Sequence, residues 1–187
     1  MDKKTKNNHH NLQGERKDQL LVLCDKKGNP LGSETREKCH KGRGKTHLAF
    51  MAFVSDKENK IILCKRNPDK SLWGGCWDAT VVSHILPKET PQIASKRRSR
   101  EEIGVAINLK IIGGFYYFAG QNDYSENEYC FVLSGKTEAE IFENPVEIVQ
   151  TKRISLDKLR KEVINNPSEY TPWLKIALNS KIDLSEI

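Results

Sequence analysis

Hydrophobic positions along the chain fall into short blocks separated by polar turns. Leu20–Cys24 is apolar, the run Asp25–Pro30 (DKKGNP) is turn-forming, and apolar character returns at Leu31. That pattern predicts a strand, a turn and a second strand. His47–Val54 reads as a buried strand, because both alternating sets of positions from Leu48 onward are apolar. Lys60–Lys65 is a further block across the polar turn Ser55–Asn59, so the two are expected to pair as a hairpin. Asn67–Gly75 reads as a loop, and the β-branched stretch Trp77–Ile85 as one extended segment. Lys110–Phe118 and Glu128–Leu133 predict strands around a polar loop at Ala119–Ser125, and Val146–Ile154 predicts another.

Helical punctuation is equally local. Thr90 followed by Pro91 is a side-chain cap and then a proline at the first helical position, and Gly104 suits the stop of a helix running to about Glu102. Thr171 and Pro172 repeat the signal ahead of a helix at Pro172–Leu178, and Leu156–Ile164 predicts one more. Strands mixed with helices in this order predict an α/β domain of the α+β kind, a mixed sheet with helices packed on both sides.

Composition changes this picture at one end of the chain. The 187 residues suit one domain, at 19–182, behind a basic tail at 1–18 that carries Lys3, Lys4, Lys6, Arg16 and Lys17 among polar residues. Such a segment buries too little apolar area to order itself and is expected to be flexible. Part of the net charge of +6 sits there, and a solvated tail outranks a nucleic-acid contact. The longest apolar run, Leu48–Val54, is far short of the ~20 residues of a membrane helix. Five scattered cysteines (Cys24, Cys39, Cys64, Cys76, Cys130) without a C-x-x-C pair predict reduced thiols and a cytoplasmic protein, with no disulfide scaffold or zinc ribbon.

The chemistry concentrates in the helix after Pro91, QIASKRRSREEIG. Charge alone describes a solvated helix laced by Arg97–Glu101 and Arg98–Glu102 pairs at i,i+4 spacing. The residues around it resemble the Nudix box, G-x5-E-x7-R-E-U-x-E-E-x-G-U with U aliphatic. Glu89, Arg97, Glu101, Glu102, Gly104 and Val105 match. Ser83 replaces the first glycine, and Arg98 replaces the glutamate after the arginine. In the Nudix fold this helix lines up carboxylates that hold divalent cations against phosphate oxygens.

Outside the tail the histidines are His40, His47 and His84, and Glu126 and Glu128 share one strand face at i,i+2 spacing. Three imidazoles and two carboxylates make a borderline-to-hard donor set, suited to Mn, Mg or Zn. From about Leu21 to Trp173 the chain resembles type I isopentenyl-diphosphate isomerase, in the segments LVLCDKKGNPLG, THLAF, LWGGCW, RRSREEIG, SENEYC and TPW. The resemblance implies divalent-metal-dependent 1,3-allylic isomerisation of isopentenyl diphosphate to dimethylallyl diphosphate, with Mg or Mn as cofactor and Zn as a further candidate. It implies metal ligands at His40, His47, His84, Glu126 and Glu128, and a second metal at Glu102 shared with the diphosphate. It implies diphosphate contacts from Arg36, Arg66, Lys70 and Arg98, proton handling by Glu128 with Tyr117, and a cation-stabilising ring at Trp173. The family's catalytic cysteine stands at the position of Val82, whose side chain can neither give nor take a proton. A Nudix hydrolase cleaving a diphosphate linkage, or a non-catalytic diphosphate-binding protein, are the alternatives left open here.

Overall fold

The computed structural model describes residues 16–185 and 187. The basic tail expected at 1–18 therefore lies, as far as residue 15, outside the described residues. The strands are β1 (Leu20–Cys24), β2 (Pro30–Thr35), β3 (His47–Ser55), β4 (Ile61–Arg66), β5 (Trp77–Asp78), β6 (Val81–His84), β7 (Lys110–Gln121), β8 (Tyr124–Lys136) and β9 (Ile148–Ile154). The helices are α1 (Arg36–His40), α2 (Pro91–Ile103), α3 (Leu156–Asn165) and α4 (Pro172–Asn179), with a 3-10 turn at Pro167–Glu169.

β3 is the spine. Along one edge it pairs in parallel with β8, from His47 opposite Glu128 to Ser55 opposite Lys136. Along the other it meets β1 at His47, then β6 antiparallel over Ala49–Ala52, then β4 at Ser55. Every residue of β3 is buried, as its unbroken apolar run requires. Its two faces feed different cores. Ala49, Met51 and Phe53 pack with Leu63, Val132 and the α3–α4 residues Leu159, Leu174 and Ala177. Phe50, Ala52 and Val54 pack with Ile62, Val81 and the α2 residues Ala94 and Ile103. The helices thus cover both faces of a mixed sheet, as expected.

Three of the expected elements change in the structure. The β3–β4 hairpin exists only at its turn, where Ser55 opposes Ile61; above it the strands separate because β3 takes β6 and β8 while β4 takes β5 and β9. Trp77–Ile85 is not one strand: it breaks at Ala79–Thr80, leaving β5 on β4 and moving β6 to β3. The polar loop at Ala119–Ser125 is mostly strand. β7 and β8 pair out to Gln121 and Tyr124, because backbone pairing in a long hairpin tolerates polar side chains that face solvent. The short helix α1 has no local signature, and its Cys39 and His40 are buried by the rest of the fold.

α2 forms where its punctuation lies. Thr90 Oγ1 accepts from Ile93 N at 3.3 Å, Pro91 opens the helix, and Gly104 closes it with φ +73, a left-handed turn that glycine adopts without steric cost. No helix among the described residues is long and apolar enough to cross a membrane.

Candidate functional site

Four elements converge on one buried point. α1 brings His40, β3 begins at His47, β6 ends at His84, and β8 carries Glu126 and Glu128 on one face. The parallel register sets His47 beside Glu128, and the antiparallel register puts Ala49 opposite His84. One nitrogen or oxygen from each of these five side chains lies within 4.8 Å of all the others, and all five residues are buried.

His40 and His47 turn Nε2 inward because their Nδ1 atoms are held by backbone carbonyls. His40 Nδ1 lies 2.7 Å from the Arg36 carbonyl and His47 Nδ1 lies 2.8 Å from the Lys45 carbonyl, so each donates there and turns an Nε2 lone pair to the centre. His47 Nε2 sits 3.3 Å from Glu128 Oε1, and His40 Nε2 sits 3.0 Å from Glu126 Oε2. These are acceptors facing acceptors. His47 Nε2 and Glu126 Oε2 are buried without a hydrogen-bond partner.

The charge states agree with this. Burial pushes the pKa of His47 down, against the pull of Glu128, and keeps the ring neutral. Burial opposes ionisation of Glu126, but His40 and His84 outweigh it and hold that carboxyl well below its ordinary range. Glu128 is likewise held down by His47 and His84, against burial and the charge of Glu126. The neutral ring of His47 with its unpartnered Nε2, and the ionised Glu126 with its unpartnered Oε2, fit a divalent cation, whose charge would satisfy both atoms at once.

A cavity of about 240 Å³ opens beside the cluster, bordered by Arg36, Arg66, Lys70, Glu126 and Glu147. It continues into an inner lobe of about 20 Å³, room for one water, bordered by Val82, His84, Tyr117, Glu128 and Trp173. Arg36, Arg66 and Lys70 face both lobes, bringing three cations next to the cluster, with the carboxylates Asp69 and Glu147 beside them on the outer lobe. Arg36 also reaches His84 Nδ1 at 2.8 Å.

Arg98 does not join them on that wall. Its guanidinium is buried against Glu102 at 2.6 Å, Glu101 at 2.8 Å and Glu147 at 3.0 Å. Those acids take up its donors, so in this structure it orders carboxylates beside the cavity. Glu102 lies on the wall of an adjoining pocket with Arg66, Lys70, Val82 and Glu147. Glu147, whose carboxylate also binds Lys70, had no sequence signal: an isolated glutamate before a strand looks like any surface acid.

Tyr117 donates its hydroxyl to Glu128 Oε2, and burial, with the charges of Glu128 and Glu126, pushes its pKa well above the usual phenol value. The phenol therefore stays protonated, held on the carboxylate. Trp173 is both core residue and cavity wall: it is 2% exposed, its ring lies 6.0 Å from Tyr117, and it borders the inner lobe. Val82 borders the same lobe and offers it no polar atom. Cys76 is turned away, its thiol directed to the Ser168 carbonyl.

Residues 45–174 match the NUDIX domain family. Isopentenyl-diphosphate Delta-isomerase 2 of Photorhabdus laumondii is 36% identical over 163 residues, covering 87% of this chain and 92% of that protein. Isopentenyl-diphosphate Delta-isomerase 1 of Aromatoleum aromaticum is 32% identical, covering 89% and 94%. Among solved structures, DR0079 from Deinococcus radiodurans superposes with a TM-score of 0.70 at 18% identity, over 86% of this chain and 98% of that one. That likeness concerns the fold.

Proposed function

Since the chain belongs to the Nudix family, on its isopentenyl-diphosphate isomerase branch, we propose that it binds a small isoprenoid diphosphate with divalent metal and shifts that substrate's double bond. One observation carries the reading: the five-residue cluster and the cavity lined by Arg36, Arg66 and Lys70 meet at a base, Glu128, that already holds a phenol hydroxyl. His40, His47, His84, Glu126 and Glu128 would hold the metal, and Mg, Mn or Zn there would neutralise the carboxylates and polarise whatever they touch. Arg36, Arg66 and Lys70 would orient the diphosphate. Glu102 would face a second cation shared with it, kept in place by Arg98.

Isomerisation of isopentenyl diphosphate adds a proton at the terminal methylene carbon and removes one from the carbon nearer the diphosphate, with no net change of composition. Glu128, with Tyr117 as its hydrogen-bonded partner, would handle one of these protons. The ring of Trp173 would face the positive charge that develops between the two steps. Val82 leaves the other proton without a positioned donor, and such a group contributes ~10²–10⁴-fold in rate. A five-carbon tail is larger than the inner lobe, so side chains there would move to admit it.

Proton NMR of isopentenyl diphosphate in D2O with Mg or Mn tests the reading. Slow deuterium incorporation by the native chain and a gain of ~10²-fold or more in Val82→Cys are expected. Silence from both would remove the isomerase assignment. Phosphate released from a panel of nucleotide and isoprenoid diphosphates would instead favour a hydrolase.

A further inference from the structure

Asp78 stands at the end of the short strand β5, 3% exposed, and has no part in the metal cluster. A carboxylate in that position is costly to bury unless its oxygens are satisfied. Oδ1 accepts three hydrogen bonds: from Ala79 N at 2.9 Å, from the Thr171 hydroxyl at 3.0 Å and from the indole Nε1 of Trp173 at 2.8 Å. Oδ2 faces Arg66 Nη1 at 3.3 Å. Arg66 is itself fixed by the carbonyls of Trp73 and Leu72, and its guanidinium lies 5.3 Å from the Trp173 ring centre.

The backbone reinforces the same junction. Thr171 N donates to the Trp77 carbonyl at 3.1 Å, and Trp77 and Tyr170 form a parallel bridge. The segment entering α4 is therefore pinned to β5 at Trp77, the residue before Asp78. A single acid thus ties one of the cations facing the cavity to the aromatic wall of its inner lobe.

We infer that Asp78 is a positioning residue of this site: its carboxylate fixes the indole of Trp173 as the wall against which a positive charge forms, and joins that wall to Arg66. The inference rests on the isoprenoid-diphosphate reading above. An indole N–H bonded to a carboxylate has more electron density on its ring, and the ring face attracts a cation through that density. The bonded ring also stands edge-on to Trp73, centres 5.2 Å apart.

The test uses the full chain labelled with 15N at its three tryptophans, Trp73, Trp77 and Trp173, with Mg and inorganic pyrophosphate present. Tetramethylammonium serves as a cation of fixed charge with no double bond, so the outcome does not depend on whether the protein isomerises anything. In the native chain the Trp173 indole resonance is expected far downfield and displaced by tetramethylammonium. Asp78→Asn, which keeps the shape, moves that resonance upfield and weakens tetramethylammonium binding by about three- to thirty-fold. Trp173→Phe weakens it as well, and the double variant is no weaker than Trp173→Phe alone, because the two residues act as one unit. Should Asp78→Asn fail to fold, Asp78→Glu keeps the charge and displaces it, with the same direction of change.

A native chain that does not bind tetramethylammonium overturns the inference. So does an indole resonance unmoved in the Asp78 variant, or independent additive losses in the double variant. Deuterium exchange on isopentenyl diphosphate is read separately, so a failed isomerase assignment and a failed role for Asp78 give different results.

Discussion

His47 is the residue whose state reports most on the site. Burial lowers its pKa below the imidazole value of 6.5, so between the two values the unfolded chain binds a proton that the folded chain does not. Folding stability from this residue is then present above pH 6.5 and lost as pH falls below it. Glu126 and Glu128 are held below their ordinary 4.5 by the neighbouring histidines, despite burial, and contribute a second loss as pH falls below 4.5. Thermal unfolding in chelator is expected to show a midpoint that drops from pH 7.5 to pH 5.5, with a shallower drop in His47→Gln. Equal slopes would mean that the ring is not held neutral. Nothing in the local sequence announces this state: His47 opens an apolar strand, and its burial depends on β8 lying alongside.

Among the elements, α2 divides its charges between two tasks. Arg97 forks onto Glu89 at 2.6 and 2.9 Å, and Glu89 in turn caps Leu86 N at 3.0 Å, which fixes the turn before the helix. Arg98, one residue on, is buried among Glu101, Glu102 and Glu147. Replacing a buried partner leaves charge uncompensated, so Arg98→Met is expected to cost about 3–5 kcal/mol in urea unfolding. Arg97→Met, at a partly exposed pair, should cost about 1 kcal/mol or less. Equal small losses would show that Glu102 and Glu147 do not depend on the guanidinium. The helix was legible in the sequence because Thr90, Pro91 and Gly104 act within a few residues of themselves. The burial of its Arg98–Glu102 pair was not, because Glu147 arrives from 45 positions beyond Glu102. α1 was missed for the related reason that a five-residue helix with no side-chain cap bond owes its existence to packing.

At the scale of the whole molecule the fold gathers imidazoles and carboxylates that the sequence scatters between His40 and Glu128. Strand and helix order indicated a mixed sheet with helices on both faces, and that architecture is what brings the ends of β3, β6 and β8 together. Local patterning could suggest the Glu126–Glu128 pair; the three histidines joined it only through resemblance to a family. The hub at Asp78 escaped notice because a lone aspartate beside a tryptophan carries no periodicity, and its partners Thr171 and Trp173 lie more than 90 residues away. The central claim is that these five side chains hold a divalent ion at the wall of the cavity lined by Arg36, Arg66 and Lys70. Manganese titration of chelator-treated protein, with free Mn2+ read by electron paramagnetic resonance, tests it most directly. The account predicts one tightly held ion per chain without diphosphate, with unfolding raised by about 2.7 kcal/mol at a hundredfold excess over Kd, and both effects lost in His47→Ala and in Glu126→Gln. Undiminished binding in those two variants, or none in the native chain, would contradict it.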